Sequence, residues 1–342
     1  MKDYPYPYPW KELPGTPEEL RFLENRFAEM AVRERYLLEG ASQLQSINNA
    51  ADLINLTEQL DCFAFYYGAT DDKALGDYMA TYRENATYAQ LPFLDLARWG
   101  KDMRERHGGV FVSGGFVEQI SPCQQCYDST NLDQLPSEIA SIRLKVASNS
   151  CPNGIWLKLP DHEIYTYEPD EFNVTLKELG ITKWCHAVLL EAKCCFDNLG
   201  NLSEQYDSLE RLIEDGNNLG YALEERGQGM ACFEDWFRAA MELESCTRLD
   251  EALDISLNLR CYDFIPDERH WEYIGKKLAL RDKIVDPDST AGMYFNYAAY
   301  CKAEVERLGL QPCTYGYIAR NNQEFIREFS RPTNEPSLSM QP

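Results

Sequence analysis

The chain has 342 residues, of which 44% are hydrophobic and 12% aromatic; this composition excludes a disordered acidic tail and predicts two or three folded domains with their own cores. The 33 basic and 56 acidic residues leave a formal net charge of −23, which disfavours direct binding to nucleic acid or to anionic membranes and favours a basic partner. No run approaches the roughly 18 apolar residues of a transmembrane helix, and the start of the chain lacks the basic and apolar regions of a signal peptide, so we expect a cytoplasmic protein.

The chain contains two similar segments, which we call the two copies. The segment from Leu60 aligns without a gap with the segment from Leu259, at an offset of 199 residues (259 − 60), and a block from Asp95 aligns with a block from Asn296 at an offset of 201 (296 − 95). The identical pairs are Leu60/Leu259, Cys62/Cys261, Phe65/Phe264, Gly76/Gly275 and Ala80/Ala279 in the first block, and Ala97/Ala298, Lys101/Lys302, Glu105/Glu306, Arg106/Arg307, Gly108/Gly309 and Gly115/Gly316 in the second. This period is far too long for a solenoid, so we predict a duplicated domain.

The two copies are separated by a segment with a different pattern. Residues 121–138 are predicted to be a linker, and residues 139–200 a small α/β subdomain with no counterpart before the first copy. The short runs "IRLKVAS", "GIWLKL" and "HAVLLEA" predict strands, and "EPDEFNVTLKELG" predicts a helix that Gly180 ends.

Residues 201–260 are predicted to form an acidic helical subdomain. Residues 201–250 contain twelve acidic and four basic residues. Ser203 is the predicted N-cap of a helix "EQYDSLERLIED", and Gly216 is predicted to end it, since glycine commonly follows the last helical turn.

The rest of the second copy is predicted to continue with helices and a hairpin. Thr247 and Asp250 have the capping-box spacing of a further helix. Residues 261–322 are expected to hold a helix followed by a strand or hairpin, and residues 1–15 and 323–342 are expected to be loose tails. The fold class that we predict is α+β, an elongated protein of several subdomains with small sheets and acidic helices.

The twelve cysteines and four histidines form no recognisable reactive pattern. Cys123 and Cys126 have the C-x-x-C spacing of zinc ligands, but no second pair completes a site, and the thioredoxin-like context of a redox C-x-x-C is missing. Adjacent Cys194 and Cys195 suit tetrahedral chelation poorly. Without a P-loop, a G-x-S-x-G or an H-E-x-x-H sequence, we predict a protein that is not an enzyme and has no catalytic residue, no metal and no cofactor.

Several elements of both copies resemble the C-terminal part of ArdA-type antirestriction proteins. They are "INLTEQLDCFAFYYGATDDKALGDYM" and "LDISLNLRCYDFIPDERHWEYIG", followed by "FLDLARWGKDM…GGVFVSGGFV" and "YFNYAAYCKAE…CTYGYI". The region from "LKVASNSCPNGIWLKLP" through "LERLIEDGNNLGYAL" is similar to the N-terminal and middle subdomains of that family. The resemblance covers residues 139–322 as one full unit and residues 16–120 as a truncated unit without the N-terminal subdomain.

The resemblance implies a fold and a function. Proteins of this family are elongated, acidic mimics of B-form DNA that inhibit type I restriction–modification enzymes, and they dimerise through their C-terminal region. The expected partner is therefore a DNA-binding protein with a basic channel, in a restriction–modification or other defence complex. The two copies would either pair within one chain as a pseudo-dimer, or the second copy would form a homodimer between chains.

The spacing of acidic residues on the predicted helices makes such mimicry feasible. Carboxylates three or four residues apart lie about 5 Å apart along a helix, and duplex DNA has about one charge per 3.4 Å along each strand. The predicted partner-binding residues are Glu204, Asp207, Glu210, Glu214, Asp215, Glu224, Glu225, Glu234, Asp235, Glu242, Glu244, Asp250, Glu251 and Asp254 in the full unit, and Asp52, Glu58, Asp61, Asp71, Asp72 and Asp77 in the truncated one. Two alternatives stay open: solvated helix faces without a specific role, and an adaptor or decoy that binds a basic protein unrelated to DNA.

Overall fold

The computed structural model describes residues 10–135, 142–161, 170–196, 199–227 and 232–330. This part of the chain contains twelve α-helices and nine strands, and the strands form three separate three-stranded sheets. The helices are α1 (Pro17–Glu29), α2 (Val32–Leu44), α3 (Ala50–Thr57), α4 (Asp72–Tyr78), α5 (Leu96–His107), α6 (Glu171–Glu178), α7 (Leu202–Gln205), α8 (Leu209–Gly227), α9 (Phe233–Leu243), α10 (Leu249–Leu257), α11 (Trp271–Arg281) and α12 (Tyr297–Leu308). The strands are β1 (Phe63–Tyr67), β2 (Val110–Val112), β3 (Gly115–Gln119), β4 (Ile142–Ala147), β5 (Ile155–Leu159), β6 (Val188–Cys194), β7 (Tyr262–Pro266), β8 (Gln311–Cys313) and β9 (Gly316–Arg320). The predicted α+β class is confirmed.

The chain divides into two compact units. Unit 1 consists of Met1–Glu138 and Arg143–Lys193, and unit 2 of Ile139–Ile142 and Cys194–Pro342. None of the helices that the structure describes combines the length and apolarity needed to cross a membrane.

The internal repeat of the sequence is also a repeat of structure. Helix α3, strand β1, helices α4 and α5 and strands β2 and β3 of unit 1 recur in the same order in unit 2 as α10, β7, α11, α12, β8 and β9. The two sheets have the equivalent orders β1-β3-β2 and β7-β9-β8. In the antiparallel pair β1–β3, Phe63 lies opposite Gln119, and in the pair β7–β9, Tyr262 lies opposite Arg320. These pairs are related by the offsets read from the sequence, so the two copies share their register.

The β1-β3-β2 sheet of unit 1 is buried on both faces. Helices α1, α2 and α3 cover one face, where Phe65 and Val117 join a core with Leu53. Helices α4 and α5 cover the other face, where Tyr66 and Phe116 are buried. Successive residues of a strand point to opposite faces, which explains why neighbours in β1 and β3 enter different cores.

One glycine pair shows why the copies keep certain identities. A Cβ atom on Gly76 would lie 1.9 Å from the carbonyl oxygen of Leu96, and one on Gly275 would lie 2.1 Å from that of Tyr297. These distances are far inside van der Waals contact, so helix α4 can approach α5, and α11 can approach α12, only with glycine at this position.

The predicted strands and helix between the copies are confirmed. They correspond to β4, β5, β6 and α6, and Gly180 has the left-handed φ of +66° expected just beyond a helix. Most of this region belongs to unit 1, where it packs against the first copy. The hydroxyl of Tyr36 on α2 donates to Glu178 on α6 at 3.0 Å, and Arg143 on β4 pairs with Glu34 at 3.1 Å.

The helix boundaries predicted for the acidic subdomain are wrong. Asn201, not Ser203, accepts the capping hydrogen bond of the short α7, and α8 continues through Gly216 to residue 227. Gly216 is buried between Ile213 and Leu219, which are buried too. Continuing the helix keeps this apolar face in the core, and that burial outweighs the cost of about 1 kcal/mol for a glycine inside a helix.

The start of α10 also differs from the prediction. Its N-cap is Arg248 rather than Thr247, and no side chain caps it. The guanidinium of Arg248 instead pairs with Asp250 at 2.8 Å. A charged pair across the first turn therefore replaces the predicted capping box.

The segments predicted to be a linker and a tail fold back onto their copies where the structure describes them. We call residues 120–127 and 321–330 the return segments. Asn55 accepts hydrogen bonds from the backbone N–H groups of Cys126 and Tyr127, both at 2.8 Å. The equivalent residue of unit 2, Asp254, accepts them from residues 328, 329 and 330 at 2.8 to 3.0 Å. Both segments are thus parts of the repeat. Residues 331–342 and 1–9 lie outside the described residues. In the rest of the predicted N-terminal tail, Trp10 is 4% exposed and belongs to the core of unit 1, so the prediction of a loose tail is wrong there.

Candidate protein-binding surface

The most exposed group of predicted carboxylates lies where α7 leads into α8. Glu204 is on α7, Asp207 follows it, and Glu210 and Glu214 lie on the first two turns of α8. All four are exposed. Among the described residues no ion pair involves any of them, so their charges face solvent. We call these four residues the α7–α8 acidic surface.

A partly buried hydrogen bond stabilises this corner of unit 2. The hydroxyl of Tyr206 donates to the carboxylate of Asp215 at 2.8 Å, and the guanidinium of Arg211 lies 3.7 Å from the same carboxylate. Burial, followed by the nearby negative charge of Asp215, raises the pKa of Tyr206, so the phenol stays protonated and remains a donor. Because Arg211 is directed at Asp215, the one basic residue between 201 and 215 does not neutralise the exposed acids.

Three of the predicted carboxylates cannot present a charge to a partner. Asp254 is 1% exposed and binds the return segment of unit 2. Asp215 is buried beneath the α7–α8 corner. Glu58 has a side chain that is 7% exposed and pairs with Arg26 at 3.3 Å. These residues stabilise the fold and do not belong to the candidate surface.

Three more carboxylates of unit 2 are paired with arginine. Glu234 lies 2.8 Å from Arg238, Glu244 lies 2.9 Å from Arg320, and Asp250 pairs with Arg248 as described above. Each pair leaves little net charge, so this part of unit 2 is less negative than its sequence indicates.

The other predicted residues are divided between exposed and half-buried positions. Glu242, Asp61, Asp71 and Asp77 are exposed, and Asp52, Asp235, Glu251 and Glu224 are half-buried. Asp72 is held by two hydrogen bonds from Arg104, at 2.8 and 3.0 Å, and the side chain of Glu225 lies outside the described residues. The predicted set is therefore not one continuous surface, and the α7–α8 acidic surface is its densest exposed part.

An exposed apolar feature in each copy was not predicted. The loop between α4 and α5 exposes Tyr88 and Phe93, and the loop between α11 and α12 exposes Met293 and Tyr294. Phe93 is 88% exposed and Tyr294, its equivalent at the offset of 201, is 86% exposed. We call these the duplicated aromatic loops. The alignment pairs the two aromatic residues, and that pairing was the signal in the sequence that could have revealed them.

Two thiols of unit 1, those of Cys123 and Cys126, have raised pKa values. Burial, then the neighbouring Cys62, raises the pKa of Cys123 to about 11, and burial raises the pKa of Cys126. Such thiols are protonated at neutral pH and are weak nucleophiles. Among the described residues no group of three or more histidine, cysteine or acidic side chains could hold a metal ion.

Comparison with family models, with curated proteins and with solved structures finds no match to this chain.

Proposed function

We propose that this protein is a non-enzymatic, cytoplasmic inhibitor that mimics DNA and occupies the basic DNA channel of a type I restriction–modification enzyme or a related defence complex. The observation that carries the proposal is the α7–α8 acidic surface, four exposed carboxylates at the corner of unit 2 where Tyr206 is hydrogen-bonded to Asp215. The resemblance of both copies to antirestriction proteins supports the same function.

The spacing of the acidic surface supports mimicry of a phosphate backbone. Glu210 and Glu214 are one helical turn apart, so their Cα atoms are separated by about 6 Å along the helix axis. Glu204 and Asp207 extend the negative charge beyond the start of the helix. The one basic residue between 201 and 215, Arg211, is directed at the buried Asp215, so the four exposed carboxylates keep a density of negative charge that a basic channel would attract over several ångströms.

The direct test is competition with DNA. A purified type I enzyme is incubated with fluorescently labelled duplex, and the protein is added at two salt concentrations while anisotropy is measured. A mimic releases the DNA, and release weakens at the higher salt because the attraction is electrostatic. Retention of the DNA at saturating protein would contradict the proposal.

A charge-reversal variant identifies the surface responsible. Replacing Glu204, Asp207, Glu210 and Glu214 by lysine should weaken inhibition at least about tenfold, equivalent to about 1.4 kcal/mol of binding free energy. The matched control reverses four exposed acids of unit 1, namely Glu12, Glu18, Glu24 and Glu84. Both variants change the net charge equally, so an equal loss of inhibition in the two would mean that net charge alone acts, and not this surface.

A second candidate is an adaptor or decoy that binds a basic protein without displacing DNA. The ion pairs of Glu234, Glu244 and Asp250 favour it, because they reduce the length of the negative surface. In the anisotropy experiment an adaptor would bind its target while the DNA stays bound, which separates the two candidates.

A further inference from the structure

The cysteines of the C-x-x-C segment are placed differently from what their spacing indicates. Cys123 and Cys126 both lie in the return segment of unit 1. The thiol of Cys126 faces the side chain of Asn55, with 3.3 Å between Sγ and Oδ1. The thiol of Cys123 instead neighbours that of Cys62 and accepts a hydrogen bond from the side-chain amide of Gln119 at 3.7 Å. The neighbouring pair is therefore Cys62 with Cys123.

Backbone contacts hold this pair in place. Cys62 immediately precedes β1, and its carbonyl oxygen accepts hydrogen bonds from the N–H groups of Ile120, at 2.9 Å, and Ser121, at 3.3 Å. The thiol of Cys62 lies 3.9 Å from the carbonyl oxygen of Pro122. The return segment thus passes directly over Cys62 and places Cys123 next to the side chain of Cys62. Both cysteines pack against the core of α1, α2 and α3.

The second copy supplies an internal comparison. Cys62 corresponds to Cys261, and Cys123 corresponds to Glu324 at the offsets of the repeat. The thiol of Cys261 lies 3.3 Å from the carbonyl oxygen of Glu324, so the same corner is built with one thiol only. The second thiol is specific to the first copy.

We infer that Cys62 and Cys123 form a reversible disulfide, which makes this corner a redox modification site. The oxidant is a low-molecular-weight disulfide of the glutathione type. The thiolate of one cysteine attacks a sulfur of that disulfide, and one small thiol leaves. The second cysteine then attacks the mixed disulfide, the Cys62–Cys123 bond forms, and the second small thiol leaves. Two protein thiols are oxidised, one small disulfide is reduced, and the two protons pass to the departing thiolates.

The order of attack follows from the surroundings. Because the raised pKa of Cys123 makes its thiolate scarce at neutral pH, we assign the first attack to Cys62, which is partly exposed. Cys123 then acts as the resolving thiol at short range.

The disulfide would attach the return segment covalently to the strand that it covers. The segment already binds Asn55 through its backbone, and the hydroxyl of Tyr127 donates to Glu19 on α1 at 3.0 Å. Closing the chain between residues 62 and 123 restricts the unfolded state of unit 1, whereas unit 2 is unchanged.

The test is disulfide mapping on the full chain. The reduced protein is equilibrated in mixtures of reduced and oxidised glutathione, remaining thiols are alkylated in acid, and tryptic peptides are analysed by tandem mass spectrometry. Fragmentation is needed because Cys123 and Cys126 lie on the same tryptic peptide. We expect a cross-linked peptide that contains Cys62 and Cys123, at glutathione ratios that leave Cys261 alkylated. Hydrogen exchange of residues 120–127 should slow on oxidation.

Variants establish which cysteines take part. C126S and C261S should retain the cross-link, and C123S should abolish it and leave Cys62 alkylated or joined to glutathione. Mapping of the unmodified chain decides the question even if a variant misfolds. A Cys123–Cys126 link, or full alkylation of both Cys62 and Cys123 in the oxidising mixtures, would overturn the inference.

Discussion

The pH dependence of unit 1 can be predicted from one buried carboxyl group. Glu171, the first residue of α6, is 6% exposed, and among the described residues its Oε1 atom has no hydrogen-bond partner. Burial raises its pKa to about 8; the charges of Glu34 and Asp161 add to this, and those of Arg33 and Lys158 oppose it. Glu171 is therefore protonated in the folded state at neutral pH.

The sign and size of the effect follow from linkage. In the unfolded chain the pKa of Glu171 is close to 4.5, so between pH 4.5 and about 8 the folded state binds more protons than the unfolded state. The contribution of Glu171 is fully present below pH 4.5 and is lost as the pH rises through about 8. One pKa unit corresponds to about 1.4 kcal/mol, so the upper limit is about 5 kcal/mol. The pKa of Asp161, which burial raises to about 6, adds a smaller loss over a lower pH range.

Replacing Glu171 by glutamine keeps the shape of the protonated side chain and removes its titration. We expect the variant to match the unmodified protein within about 1 kcal/mol at pH 5 and to be more stable by about 2–5 kcal/mol at pH 8.5. The free energy of unfolding is measured by pulse-labelling hydrogen exchange across a urea series, on peptides that cover β4, β5 and α6. The matched control is Glu24→Gln on α1, an exposed position, which should change neither value.

The experiment can contradict the reasoning in two ways. If the unmodified protein is as stable at pH 8.5 as at pH 5, Glu171 is not protonated in the fold. If Glu171→Gln loses the same free energy as the unmodified protein over this range, the pH dependence has another origin.

Three further predictions concern contacts described above. Glu34→Gln should destabilise unit 1 by about 3–5 kcal/mol in the same assay, because two nearly buried arginines would lose their carboxylate; a loss below about 1 kcal/mol would show that they find other partners. Asp254→Ala should release the end of the return segment of unit 2, since the backbone N–H groups of residues 328–330 and the hydroxyl of Ser330 lose their acceptor, at a cost of about 2–4 kcal/mol; unchanged hydrogen exchange at 328–330 would refute this. If the duplicated aromatic loops join two chains, the double variant Phe93→Ser/Tyr294→Ser should have a lower molecular mass in sedimentation equilibrium than the unmodified protein. A mass near 39.4 kDa, that of one chain, for both proteins would exclude this association.

Local signals in the sequence were sufficient for many elements. The alternating runs of β4, β5 and β6 and the glycine after α6 are short-range patterns, and the structure confirms them. The repeat was also visible, because positions such as Gly76 and Gly275 face a backbone that tolerates no side chain.

The continuation of α8 past Gly216 could not be predicted from helix propensity. A glycine after an acidic run is a common end of a helix, and only the packing of Ile213 and Leu219 against the rest of unit 2 makes continuation favourable. The return segments were missed for a similar reason, since their partners Asn55 and Asp254 lie some 70 residues earlier in the chain.

The sequence by itself determined the duplication, the fold class and the negative charge of this protein, because these depend on composition and on neighbours in the chain. Only the tertiary structure decided which carboxylates remain available. Asp254, Asp215 and Glu58 are as acidic in the sequence as Glu204 or Glu210, but all three are largely buried. Glu58 is also paired with the distant Arg26, and Asp254 with backbone donors more than 70 residues away. A charge reaches a partner only where the fold leaves it in water, and that depends on contacts between residues far apart in the chain.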